Sequence, residues 1–366
     1  MLNAITIKNF RCFPNIKVSG FKNINLIGGQ NNSGKTALLE ALLLSFFPTP
    51  DTIVSLREFR NENNNLVRKA TEKVWNYFFY NQDKSKAISI ATELGNNQVT
   101  NVEMSCTKDI ENVIETLSNI SGNGNDKISD FLYGNFSDTI LLNIKGILKH
   151  QFNYYLLPDR NNLDGKIAQI GKIPINSGFL PFLHTGLRLN DENLVNLYSQ
   201  TKENSTLDTL NNMLHLLDNR IISSEIDAPG GEPMIKLILD NKQSFPLSMF
   251  GDAVRKVTEL MLILLNNTTK VIFIDEIENG IHFTKHKDLW TKLFEVVGDD
   301  IQIFATSHSA EMIKAFNDVA YQTPFENKGM YFEMGRTQKT QQIVVNPIDM
   351  EMLNYKILTN SSFRAE

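Results

Sequence analysis

The pattern of apolar and polar positions divides the chain into three stretches. Near the N-terminus Ile5-Thr6-Ile7 alternates as a strand does, Asn25-Leu26-Ile27 is a short run stopping at Gly28-Gly29, and Thr36 to Phe47 is apolar on nearly every side of a helix. A helix apolar all round belongs inside a layered domain, so the first fifty residues predict strand, loop, strand, glycine loop and buried helix. Towards the other end, Val271-Ile272-Phe273-Ile274 and Ile301-Gln302-Ile303-Phe304 are continuous rather than alternating. Between them Leu289, Trp290, Leu293, Phe294 and Val297 mark one helical face, with Gly298 as its stop. Continuous strands joined by a helix predict a parallel sheet covered on both faces.

The middle is less regular. Lys86 to Thr107 predicts two antiparallel strands around Gly95-Asn96-Asn97, because Ile88, Ile90 and Thr92, then Val102 and Met104, alternate. Ile110, Val113, Ile114 and Leu117 are helix-spaced and Ser121 to Asp126 is rich in turn residues. Leu207, Leu210, Leu214 and Leu217 share a helical face, with Ser205 and Asp208 placed as a capping pair. These patterns predict a largely helical insertion over 111–225, between an N-terminal part (1–110) and a C-terminal part (226–366). Gly329 to Val345 predicts a closing hairpin.

Composition narrows the classes. The 366 residues are 42% hydrophobic and 21% charged, enough apolar material for a large core. A net charge of −5 provides no overall basic field, so contact with nucleic acid would need a local patch or a partner. Cys12 and Cys106 stand far apart without a CxxC, which argues against a disulfide framework or thiolate zinc site and fits a reduced cytoplasm. The apolar run at Ala37–Phe47 is interrupted by Glu40 and that at Leu260–Leu265 is short, so neither export nor membrane crossing is expected.

Chemistry enters with Gly29-Gln30-Asn31-Asn32-Ser33-Gly34-Lys35-Thr36, a full match to GxxxxGK[ST] between a predicted strand and helix. Backbone amides of such a loop converge on phosphate oxygens, and the helix N-terminus adds favourable partial charge. Gly29, Asn31, Asn32, Ser33, Gly34, Lys35 and Thr36 are therefore candidate nucleotide ligands. Lys35 would reach the β and γ phosphates of ATP and Thr36 would ligate Mg²⁺. The strand Val271–Ile274 ends in Asp275-Glu276, placing one acid to hold the magnesium and the next to orient and deprotonate water, which predicts a hydrolase.

Asp275-Glu276-Ile277-Glu278-Asn279-Gly280-Ile281-His282 resembles the D-E-x-E-N-G-L-H segment of the ABC-type ATPases of the SMC, RecF and OLD (overcoming-lysogenisation-defect) group. Ala305-Thr306-Ser307-His308-Ser309 is similar to that group's T-S-H-S switch, and Ile7-Lys8-Asn9-Phe10-Arg11-Cys12-Phe13 to its I-x-N-F-R-x-F opening. The resemblance covers both ends, about half of the chain. It implies an α/β fold: a P-loop NTPase with an ABC-type head, made of a mainly parallel core sheet and an antiparallel β subdomain. It also implies catalytic roles for Lys35, Glu276 and His308, the last at the γ-phosphate, and places Glu278 and Asn279 in a segment crossing a dimer interface, where Glu278 is open equally to a structural ion pair and to an active-site role.

Such sites are completed in trans by a signature segment. The candidate is Pro246 to Ala253, in which Ser248 and the amide of Gly251 would meet the partner's nucleotide, with Arg255 or Lys256 adding positive charge. Ala253 departs from the pattern, since many relatives carry a second glycine there. The 240 residues from Lys35 to Asp275 exceed what a transporter-type nucleotide domain needs, and no sustained heptad run suggests an SMC coiled coil. The expectation is therefore a small stand-alone OLD-like ATPase of the AAA family. It would form a homodimer, or an assembly of dimers, closed by ATP, and act on a separately encoded effector such as a Toprim-type nuclease in phage defence or DNA processing. The 57 residues after Ser309 are expected to hold no nuclease of their own. Two alternatives stand beside it: a RecF-like repair ATPase gripping DNA, and a nucleotide-gated scaffold with negligible hydrolysis.

Other features carry less. His282 and His286 have zinc-compatible spacing but lack the HExxH glutamate and a third ligand, and Arg336 with Lys339 reads as a solvated charge pair in a turn.

Overall fold

A computed structural model describes the chain except for residues 61, 63–66, 68–69, 96–97, 122–139, 159–166, 175–179, 184–188, 267–268, 326, 360 and 362–366, and the side chains of 117–121. The N-terminal strand β1 (Leu2–Phe10) turns at Arg11-Cys12 into β2 (Phe13–Ser19), and β3 (Ile24–Gly29), buried at every position, leads through the glycine loop into α1 (Lys35–Phe46). In α2 (Pro50–Glu58) proline occupies the first turn, where its missing N–H costs nothing, and the Thr49 hydroxyl accepts the Thr52 amide as an N-cap. Then come β4 (Ile88–Leu94), β5 (Val99–Thr107), α3 (Ile110–Ser121), β6 (Leu141–Ile147), β7 (Gln151–Pro158), β8 (Ile167–Lys172) and the two-residue β9 (Phe182–Leu183). Next are α4 (Asp191–Glu203), α5 (Leu207–Leu217), β10 (Ile221–Asp227), β11 (Met234–Leu239), β12 (Ser244–Pro246) and α6 (Asp252–Leu265). The chain closes with β13 (Val271–Ile274), α7 (His286–Val296), β14 (Gln302–Thr306), α8 (Ala310–Ala320), β15 (Gly329–Arg336), β16 (Ile343–Ile348) and α9 (Met350–Leu358).

These elements form two units. One comprises Met1, Gly20–Thr36 and Pro181–Glu366. Its main sheet has the order β16-β15-β3-β14-β13-β9, parallel from β15 to β9, with β15 and β16 the expected antiparallel hairpin. Phe273 stacks on Phe304 at 5.6 Å between ring centroids, and Trp290 of α7 meets Phe316 of α8 edge-on at 4.9 Å. A smaller antiparallel sheet, β10-β11-β12, belongs to the same unit.

The other unit comprises Leu2–Ser19 and Ala37–Leu180 and carries a seven-stranded antiparallel sheet of order β2-β1-β4-β5-β6-β7-β8. Within it Glu40, fully buried in α1, accepts from Arg11 at 2.8 Å and from Arg60 at 2.7 Å. That pairing explains how an acid sits in an otherwise apolar helix.

The mainly parallel core sheet and the antiparallel β subdomain are as expected. Among its described residues, however, the stretch 111–225 mixes helix and strand rather than being largely helical. It holds α3, α4 and α5, but β6, β7 and β8 extend the antiparallel sheet. β6 buries Leu141, Leu142 and Ile144, and β7 buries Phe152 and every residue from Tyr154 to Pro158, with aromatic residues that favour strands among them. The predicted hairpin β4–β5 forms, with Asn96 and Asn97 of its turn outside the described residues. The Leu117 side chain and residues 122–126 of the loop predicted after α3 lie outside them too. The Ser205–Asp208 capping pair does not form: Thr206 is the N-cap of α5, without a side-chain capping bond, and Ser205 has φ +58°. Among the described residues no helix is long and apolar enough to cross a membrane.

Candidate active site

Glycine is required where β3 ends. A Cβ on Gly28 would lie 2.2 Å from the Tyr331 hydroxyl oxygen, and one on Gly29, at φ +138°, 2.0 Å from the Met334 carbonyl oxygen of the neighbouring β15. Asn32 (φ +61°) and Gly34 (φ +93°) then turn the loop through left-handed conformations into α1. Asn31 and Asn32 are exposed, whereas Ser33 is buried. The Lys35 ammonium donates to the carbonyls of Gly29 and Gln30, both at 2.8 Å, so it lies over the loop that precedes it. Burial lowers its pKa, an effect opposed by the carboxylates of Asp275, Glu278 and Glu276.

Parallel register sets the acids beside this loop. Ile274 of β13 is level with Ala305 of β14, which is level with Leu26 of β3, so the three strands run to the same edge of the sheet, β14 continuing to Thr306 and β3 to Gly29. In open α/β sheets ligands bind outside the carboxyl ends of the strands. The Asp275 carboxylate accepts from the Thr36 hydroxyl at 3.1 and 3.3 Å and from the buried Thr306 hydroxyl at 2.5 Å. The Thr306 oxygen in turn accepts the Glu276 amide at 2.8 Å. Glu276 has φ +48°, a left-handed conformation uncommon outside glycine, asparagine and aspartate. Its carbonyl accepts from the Lys256 ammonium at 2.6 Å, and its Oε2 accepts from the Asn279 side-chain amide at 2.8 Å. Burial among these groups pushes the Lys256 pKa down to about 8, against the raising influence of Glu278, Asp275, Glu276 and Glu259.

Glu278 and His308 form a second cluster. Glu278 Oε1 accepts the amides of His308 at 2.7 Å and Ser309 at 3.2 Å and lies 2.9 Å from His308 Nδ1. The Ser309 hydroxyl caps α8 by accepting the Met312 amide.

The fold thus gathers the phosphate loop, Asp275, Glu276 and the turn at His308 in one unit. Thr36 and Asp275 present adjoining hard oxygen donors of the kind magnesium takes. The buried Ser33 hydroxyl and Glu278 Oε2 have no hydrogen-bond partner among the described residues, as fits a pocket built for a polar ligand. Ser248 and Gly251 are exposed at the start of α6, and among the described residues neither is hydrogen-bonded to the phosphate loop. Open space surrounds the position of a Cβ on Gly251.

Two assignments change, those of Arg255 and Arg336, and the partners of Glu278 and Asn279 become visible. Arg255 does not extend the signature's charge outward: it pairs with Glu259 at 3.1 Å and donates to the Leu189 carbonyl at 3.0 Å, while Lys256 turns inward. Glu278 is nine-tenths buried beside His308. Asn279 serves Glu276. Arg336 donates to the Asn32 carbonyl at 3.2 Å and to that of Gln341, so it is no simple solvated charge. Of the two zinc-spaced histidines, His286 is buried with Nε2 3.1 Å from the Ile281 carbonyl oxygen. Among the described residues no group of three or more His, Cys, Asp or Glu is arranged to hold a metal ion. The Thr306–Asp275 and Lys256–Glu276 contacts escape a motif reading because the partners lie 31 and 20 residues apart.

Residues 24–313 match the family described as "AAA domain, putative AbiEii toxin, Type IV TA system". An ATP/GTP phosphatase of Helicobacter pylori is 27% identical over 376 residues, covering 97% of each chain. A DNA double-strand break repair Rad50 ATPase of Archaeoglobus fulgidus is 37% identical over 68 residues, which are 19% of this chain and 7% of that protein. Among solved structures, the Smc head domain with an extended coiled coil bound to the C-terminal domain of ScpA, from Pyrococcus furiosus, has a TM-score of 0.52 at 10% identity, covering 98% of each chain. The SmcHead bound to the C-winged helix domain of ScpA has a TM-score of 0.51 at 10% identity, covering 96% of this chain and 98% of that one. At such identity the likeness is one of fold.

Proposed function

From the premise that the chain belongs to this AAA-domain family and is an ABC-type ATPase of the SMC/RecF-like group, we propose that it closes as a homodimer around two ATP molecules and signals their hydrolysis to a separate effector. The loop amides from Gly29 to Gly34 and the Lys35 ammonium hold the phosphates. Thr36 and Asp275 hold Mg²⁺, which when bound neutralises charge on the phosphate oxygens. Glu276 accepts the proton of the attacking water; Asn279 fixes one of its carboxylate oxygens and leaves the other to the water. His308 meets the γ-phosphate. Ser248 and the Gly251 amide, exposed at the start of α6, serve the nucleotide of the partner subunit.

The observation that carries this reading is the chain of hydrogen bonds from Thr36 through Asp275 and Thr306 to the Glu276 amide, which ties the phosphate loop to the base across three adjacent parallel strands. The exposure of the signature residues supports their service in trans. That both SMC heads of like fold are bound to a partner protein supports an effector, for which a Toprim-type nuclease in phage defence or DNA processing is our reading.

The test is Glu276→Gln. The variant is expected to bind ATP, lose turnover by about a hundredfold or more, and run as an ATP-dependent dimer in size-exclusion chromatography with light scattering. Turnover at the wild-type rate would remove Glu276 as the base, and a variant that stays monomeric with ATP would remove the sandwich.

A further inference from the structure

Glu278, open from the sequence to either a structural ion pair or an active-site role, stands at the centre of a cluster around His308. Two backbone amides, of His308 and Ser309, donate to one oxygen, Oε1, and the His308 ring brings Nδ1 to 2.9 Å from that same atom, within ion-pair distance. A bare Nδ1 lone pair 2.9 Å from a carboxylate oxygen would be repelled by it, so the contact favours the ring form that carries a proton on Nδ1. Nε2 is then the ring atom left to face a phosphate or a water. The two backbone bonds fix the turn that carries the ring, and Ser309 ties this turn to the first turn of α8. The ring itself remains half-exposed while its anchor is buried.

We infer that Glu278 is a positioning residue for ATP hydrolysis, setting the tautomer and aim of His308; the inference rests on the nucleotide reading proposed above. Its negative charge also offsets the positive charge of an imidazolium, the form in which Nε2 would donate to a γ-phosphate oxygen. Asn279 and Glu278, adjacent in sequence, thus orient the two groups proposed to act at the γ-phosphate, Glu276 and His308 respectively.

Two measurements test it. Long-range ¹H–¹⁵N NMR of His308, assigned by the signals lost in His308→Ala, is expected to show the proton on Nδ1 in the nucleotide-free wild type and a shift towards Nε2–H in Glu278→Ala. A wild-type ring protonated on Nε2 alone overturns the inference. In steady-state assays Glu278→Ala is expected to lower kcat about a hundredfold with KM for ATP within about threefold, and Glu278→Gln, which keeps an accepting oxygen, about tenfold. The double variant Glu278→Ala/His308→Ala should be no slower than His308→Ala alone. Additive losses, or a change confined to KM, overturn it. If Glu278→Ala fails to fold, Glu278→Gln and its ring tautomer decide. A wild type without ATP turnover would refute the nucleotide reading, while the NMR measurement would still judge the Glu278–His308 relation.

Discussion

The two main sheets obey opposite rules. In the six-stranded sheet β3, β13 and β14 are buried at every residue and run to the same edge, and each runs out into chemistry: a glycine loop after the first, two acids after the second, a histidine turn after the third. In the seven-stranded antiparallel sheet burial alternates along β4 and from Ile5 to Lys8 of β1, and polar groups are spread over the strands, as in the cross-strand pair of Glu103 and Lys145 at 3.1 Å. A strand covered on both faces has no polar position except at its ends, so function collects there. A half-wet sheet spends its polar residues on solvation.

The sharpest way to break this contrast is Lys35→Ala. Turnover should fall roughly a thousandfold or more, with far-UV circular dichroism and melting temperature nearly unchanged, because the lysine contacts loop carbonyls and no core. A variant that keeps its turnover would separate the strand ends from the chemistry. Cys106, half-buried on β5, probes the antiparallel sheet. Burial, against a small opposing effect of Lys84, holds its thiol at about 12 instead of the ordinary 9.0. At pH 8 iodoacetamide should therefore label it on the order of a thousandfold more slowly in the folded chain than in urea. Because the folded thiol keeps its proton to higher pH, the unfolded chain binds fewer protons above pH 9, and this group's contribution to stability falls as pH rises from about 9 to about 12. Equal labelling rates would contradict the described burial.

A pair of substitutions compares the sheets directly. Gly29→Ala drives a Cβ to 2.0 Å from a β15 carbonyl in a left-handed conformation and should cost about 3 kcal/mol or more in urea unfolding. Val99→Ser, on a 63%-exposed side chain of β5, should cost less than about 0.5 kcal/mol. Similar costs at both positions would erase the distinction between a strand closed on both sides and one open to water.

Much of the catalytic end is legible in the sequence because its signals are local. Gly29 to Thr36 is one uninterrupted motif, and Asp275-Glu276 directly succeeds four apolar residues. The strands β6 to β8 are masked because the helix-spaced residues flanking them, Ile110 to Leu117 and Leu207 to Leu217, are stronger signals than short apolar stretches such as Leu141, Leu142 and Ile144. The apparent cap at Ser205 misleads because a capping pattern does not reveal which residue leaves the helical conformation, and that residue is Thr206.

Order along the chain was enough to mark the candidate residues for phosphate and acid chemistry and the buried strands β3, β13 and β14, since both are written in runs of eight residues or fewer. Which side chains meet was settled only by packing. The Thr306–Asp275, Lys256–Glu276 and Glu278–His308 contacts join positions 20 to 31 residues apart. No short-range propensity encodes them. They exist because parallel register brings the ends of β3, β13 and β14 to the same edge of the sheet, and because a polar group buried there must find a partner among whatever the neighbouring strand or helix presents.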